Sequence, residues 1–165
     1  MRALALLLAL PGLAHAADVE PAWAAAALAG ADVPIPSNRV TTRGALALTL
    51  ERDLWRRLGL RLALHASRAE IATDLGVTAG ATLRLLGWRG LRLRATAEAG
   101  YAAIRVDKHD VVLWTGALVL APGIELGWAL SRLLELRAVP LAFSLFWNEL
   151  WIPAWTPRLG LALRW

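Results

Sequence analysis

From Leu58 to His65 every second residue is leucine: Leu58, Leu60, Leu62 and Leu64 alternate with Gly59, Arg61, Ala63 and His65. On a helix this spacing would spread leucine around most of the circumference and draw the arginine into any core. On a strand it makes one apolar face and one polar face, because successive side chains point to opposite sides. The pattern recurs. Leu46, Leu48 and Leu50 alternate with Ala45, Ala47, Thr49 and Glu51; Val77 to Leu85 alternates with Thr78, Gly80, Thr82 and Arg84. Leu91 to Ala99 alternates with Arg92, Arg94, Thr96 and Glu98, and Ile124 to Leu130 with Glu125, Gly127 and Ala129. Leucine and alanine are weak strand formers in water, and propensity alone reads these windows as helix. Alternation overrides it. Lipid as the solvent of the apolar face also explains leucine where a soluble sheet would use valine and threonine.

The chain offers no apolar run long enough for a membrane-spanning helix, which needs about 20 residues. The nearest, Val111 to Leu130, is interrupted by Pro122, Gly123 and Glu125. Hydrophobic residues are 58% of the 165 and charged residues 19%, a composition that excludes disorder. There is no cysteine, hence no disulfide, thiolate nucleophile or cysteine metal site. The net charge of +5 is spread along alternating faces and forms no patch for nucleic acid. No motif calls for a metal or cofactor.

The N-terminus reads as an export signal. Arg2 is a basic n-region, Ala3 to Leu10 an apolar core, and Ala14-His15-Ala16 a small-x-small cleavage site, so residues 1–16 would be removed. Residues 17–39 do not alternate and read as a periplasmic segment. Pro21 and Ala22 to Ala29 suggest a short helix ending at Gly30, followed by an extended lead-in through Pro34 and Pro36. Such a helix would be a plug or foot, with Trp23 touching the membrane surface.

Residues 40–165 then hold eight strands, at about 41–52, 56–66, 74–86, 90–102, 111–121, 123–131, 133–146 and 157–165. Membrane strands take about 9–11 residues each, and closing the sheet removes the edges that lipid forbids. The fold expected is all-β: an eight-stranded antiparallel up-and-down transmembrane barrel. With the first of these strands running outward, Trp55, Trp88, Trp147, Trp151 and Trp155 fall at outer ends, and Tyr101, Trp114, Trp128 and Trp165 at the periplasmic end. These residues would form the two aromatic girdles of such barrels.

The C-terminal strand ends Leu159-x-Leu161-x-Leu163-x-Trp165. With this ending, residues 40–165 resemble the small eight-stranded outer-membrane barrel proteins of Gram-negative bacteria. The resemblance implies an outer-membrane location, contact with outer-membrane lipids, and a final strand read by the assembly machinery. Most members end in Phe where this chain has Trp165. Most also carry long outer loops, whereas Gly87 to Gly90 and Ala121-Pro122-Gly123 read as tight turns and only residues 147–156 as a longer loop, a candidate contact for a protein partner.

The polar faces direct Arg61, Arg84, Arg92, Arg94, Glu98, Glu125, Glu135, Arg137, Arg158 and Arg164 into the barrel. An eight-stranded barrel is only wide enough for side chains to fill, so the expected role of these residues is a packed ion-pair interior. The first alternative is a narrow anion-preferring pore, since arginines outnumber acids. The second is a lipid A-modifying enzyme, an acyl hydrolase or transferase. Some small barrels of this kind are lipid A deacylases with a His-x-Ser pair on a strand followed by Asn-Ala, and His65-Ala66-Ser67-Arg68-Ala69 is similar. Spacing of two puts imidazole and hydroxyl on one face, but Arg68 stands where that group has Asn.

Overall fold

The structure, a computed structural model, describes residues 23–35, 42–55, 57–70, 72–108, 111–148 and 150–165. Every regular element among them is a strand: β1 (Trp23–Pro34), β2 (Arg43–Asp53), β3 (Leu58–Arg68), β4 (Ala72–Trp88), β5 (Leu91–Lys108), β6 (Val111–Ala129), β7 (Leu134–Asn148), β8 (Leu150–Trp155) and β9 (Arg158–Arg164). All pairings are antiparallel, and from β2 to β8 each strand pairs with the next in sequence. β8 and β9 share one position in the wall, each pairing with β7 on one side and β1 on the other. β1 also pairs with β2, which closes the sheet into an eight-position up-and-down barrel.

Three expectations fail in ways that cancel in the strand count. Residues 23–34 are the first barrel strand and not a helix, so the barrel begins at Trp23 rather than residue 40. The expected signal peptide and the start of the expected helix lie outside the described residues. Alanine fills both faces of β1, which hides the period. Tertiary pairing overrides its helix propensity, because β2 and β9 would otherwise each present an unpaired edge to lipid. The close fit there also needs small residues: a Cβ at Gly160 would lie 1.9 Å from the Ala27 carbonyl oxygen.

The expected turn at Ala121-Pro122-Gly123 is instead the middle of β6, a single strand of 19 residues. Pro122 pairs with Ala97 of β5, and its missing N–H coincides with a gap in the ladder to β7, between Leu120↔Leu145 and Gly123↔Ala142. The expected loop at 147–156 is the β7–β8 hairpin and its second strand. At Pro140, β7 carries a bulge, two residues standing opposite the single Glu125. The Trp155 indole donates to the Pro140 carbonyl oxygen at 2.9 Å.

Alternation of burial follows alternation of residue type. On β3, Arg61, Ala63, His65 and Ser67 are buried while Leu60, Leu62 and Leu64 are exposed. Lipid-facing leucines reach 61% exposure at Leu46 and 63% at Leu75, whereas Glu125, Glu135 and Arg137 are wholly buried. This is the inverse of a soluble protein, where a continuous apolar surface of such extent does not persist.

Because β1 precedes the first strand expected from sequence, the expected strands up to residue 121 invert, whereas those after it keep their direction, since β6 merges two expected strands into one. Trp23, Trp55, Trp88, Trp128 and Trp165 belong to the end carrying the two ends of the barrel strands, beside the 54–57, 89–90 and 130–133 connections. Trp114, Trp147 and Trp151 belong to the opposite end. Trp155 lies on the wall in the half nearer that end, opposite Val33. Tyr101 sits farther along the wall, its hydroxyl over Gly116, where a Cβ would fall 1.4 Å away. Trp55, Trp88 and Trp114 therefore change ends relative to the sequence threading.

Candidate functional site

The interior has two levels, set by where along each strand the inward-facing charges fall. In the half nearer the barrel termini, three arginines and three glutamates interlock. Arg61 on β3 donates through Nε to Glu51 Oε1 of β2 at 2.6 Å, and its Nη2 contacts both Glu51 and Glu125 of β6. Arg94 on β5 donates through Nη1 to Glu125 Oε1 at 2.6 Å and through Nη2 to Glu135 Oε1 of β7 at 3.1 Å. Arg137 closes the ring, donating to Glu135 at 2.9 Å and to Glu51 at 2.8 Å. Each acid is held by more than one guanidinium, as burial of ionised groups demands.

Around this ring stand Arg92, in contact with Glu135, and Glu98, which accepts from Thr78 Oγ1 at 2.6 Å and from Arg61 Nη1 at 3.4 Å. Arg84 and Arg164 share Asp53, at 3.1 and 3.4 Å. Nine of the ten interior residues named from sequence thus lie in or beside one network, with Arg158 apart. Sequence reasoning missed Glu51 and Asp53, two of the acids that hold it. The signal was available: both lie on the inward face of β2, in register with Ala45, Ala47 and Thr49.

Above the network lies a small cavity of about 40 Å³, lined by Thr49, Thr78, Thr96, Ser144 and Thr156 among others. That volume suits bound water. Beyond it, Arg158 approaches Asp32 at 3.6 Å, and Asp74 accepts from Arg43 at 2.7 Å and from Ser67 Oγ at 2.5 Å. His65 lies against the bare α-carbon of Gly76, where a Cβ would sit 2.1 Å from its Nε2. His65 and Ser67 both face inward, away from bilayer acyl chains, and the serine proton goes to Asp74. The pair does not present a nucleophile and base to lipid, and it lies in the half away from the barrel termini. Opposite this polar corner, Ala102, Ala117, Val119, Phe146 and Ala154 form an apolar cluster. Among the described residues no three His, Asp or Glu side chains are placed to hold a metal ion.

No protein-family model matches the chain, and no curated protein matches it in sequence. Solved structures do. Neisserial surface protein A superposes with a TM-score of 0.70 at 9% identity, covering 89% of this chain and 98% of that one. A major outer membrane protein from Thermus thermophilus gives 0.66 at 13% identity, over 89% and 100% of the two chains. The outer membrane protein OprG from Pseudomonas aeruginosa gives 0.61 at 8% identity, over 88% and 96%. At such identities the likeness speaks for the fold, and over almost the whole described chain that fold is the small outer-membrane β-barrel.

Proposed function

We propose that this chain is an integral outer-membrane protein whose barrel is a sealed body, closed by its buried ion network, with a structural role in contact with lipid. One observation carries the reading. The closed sheet turns leucine and tryptophan outward all around and keeps its arginine–glutamate pairs inside, an arrangement stable only where the outer solvent is hydrocarbon. The fold neighbours support the location. The C-terminal strand supports delivery by the outer-membrane assembly machinery, since Leu159, Leu161, Leu163 and Trp165 all point outward.

The interior disfavours an open pore. The ring from Glu51 to Arg137 bridges strands on opposite sides of the barrel, and ions would have to displace paired charges from one another. Adhesion through long loops finds little support either, as the β3–β4 and β5–β6 connections are short. Two measurements test the proposal together. Unboiled protein from an outer-membrane fraction should migrate differently in SDS from boiled protein, because a closed barrel resists the detergent until heated. The same folded protein should show no discrete channel openings in planar bilayers. Recovery as a soluble periplasmic protein would overturn the location, and regular chloride-selective openings would overturn the sealed interior.

A further inference from the structure

The turns at the end carrying the barrel termini share a composition that the sealed-barrel role does not require. The 54–57 connection presents Leu54, Trp55 and Arg57; the 89–90 turn presents Arg89 beside Trp88; the 130–133 connection presents Leu130, Arg132 and Leu133. At the seam of the barrel, Arg52 lies over the Trp23 ring at 5.3 Å, with Trp165 alongside. Arg89 likewise covers Trp88 at 5.0 Å, from a backbone conformation with φ of 45°. Arg52, Arg57, Arg89 and Arg132 are all exposed, and none pairs with an acid among the described residues. The nearby Asp53 is turned inward to Arg84 and Arg164. At the opposite end the described turn residues mix signs: Arg68 and Arg105 stand with Glu70 and Asp107, and Arg105 pairs with Asp107 at 3.0 Å.

We infer that this end is a binding rim for anionic glycerophospholipid headgroups in the leaflet that surrounds it. Connections at one end of an up-and-down barrel recur at every second strand gap, so Arg57, Arg89 and Arg132 are spread around the wall. Arg52 on β2, over Trp23 of β1, adds a site beside the seam, and the sites do not all gather on one side. A ring concentric with the barrel matches the lipid annulus and fits poorly to a single macromolecular partner. The chemistry also matches. Each arginine is flanked by Trp or Leu side chains that enter the interfacial region and hold the cation at phosphate depth. An arginine over an indole keeps its charge available while its stem is immobilised. Guanidinium recognises phosphodiester oxygens through paired N–H donors. Fixed basic groups near a membrane surface attract anionic lipid by roughly 1 kcal/mol each, about a fivefold preference.

The inference rests on the reading of the barrel as membrane-embedded, and the test separates the two. The full chain is folded into phosphatidylcholine vesicles, and electron paramagnetic resonance follows spin-labelled phosphatidylglycerol or spin-labelled phosphatidylcholine. Lipid held at the protein wall gives a motionally restricted component. The expected result is about fivefold preference for phosphatidylglycerol at low salt, falling as Debye screening shortens the range of the charges. The combined variant Arg52→Gln, Arg57→Gln, Arg89→Gln, Arg132→Gln should lose most of the preference and keep the restricted component. The control Arg68→Gln, Arg105→Gln at the other end should keep both. Equal association of the two lipids, or a preference unchanged in the four-site variant, would overturn the rim. Absence of any restricted component would instead overturn the membrane-embedded reading itself.

Discussion

The two levels of the barrel interior are both built from arginines and buried acids, yet their carboxylates are satisfied to different degrees. In the half near the barrel termini, Glu51, Glu125 and Glu135 each meet at least two arginines. In the other half, Asp32 has one arginine at 3.6 Å, and His65 Nε2, Asp32 Oδ1 and Asp74 Oδ1 have no hydrogen-bond partner among the described residues, whereas in the ring every carboxylate is paired and only Arg137 Nη2 lacks one. Position along the barrel explains the contrast. The first level is a charge lattice in which each ion takes the place of water for its neighbours. The second borders a cavity of a size that suits water, which can serve the remaining lone pairs. The stability of this barrel is therefore expected to be concentrated at the first level, and tolerance of substitution at the second.

The sharpest way to break that contrast is to remove one member of the ring. Glu125→Ala removes the carboxylate that Arg61 and Arg94 share and leaves the ring an excess of buried positive charge, and breaking a buried ion network costs about 3–5 kcal/mol. The urea midpoint of the folded barrel in vesicles, read as loss of the unboiled gel band, should fall far below wild type. A midpoint within error of wild type would mean that water already reaches the ring. At the second level, Asp74→Asn should cost less, about 1–3 kcal/mol, because Arg43 keeps access to solvent. If Asp74→Asn proved as costly as Glu125→Ala in the same urea titration, the two levels would be energetically one.

On the wall, Trp155→Phe keeps most of the apolar contact and deletes the indole bond to the Pro140 carbonyl, about 0.5–1.5 kcal/mol. A stable variant would show that the bulge at Pro140 holds itself. The smallest effect expected is Gly116→Ala. The added methyl meets only the movable end of Tyr101, so the ring should swing aside at a cost below about 1 kcal/mol. Its signature would be changed tyrosine exposure to a lipid-soluble quencher, with the urea midpoint nearly unchanged.

Sequence and structure meet most closely where alternation is strong. Arg61 and Arg94 sit among regularly spaced leucines and alanines, and the direction of each follows from the strand alone. Glu51 is equally legible in principle, but it closes a window of alternation rather than centring one. β1 is not legible: alanine on both faces carries no period, and only the need of β2 and β9 for a partner makes it a strand. β6 misleads for a different reason. Ala117 and Val119 face an apolar stretch of interior, so both faces of the strand are apolar there. Pro122 then imitates a turn, although the gap in the β6–β7 ladder accommodates it.

What the sequence by itself determined is the class of fold and the inward or outward sense of nearly every side chain. Period two is a local property of an extended backbone, written in residues two apart. What only the tertiary structure decided is which strand begins the barrel, hence which end each tryptophan occupies, and which acid each arginine meets. Glu51 and Arg137 are 86 residues apart in the chain. Their meeting depends on closure and register, both set by hydrogen bonds between distant strands that no local pattern records.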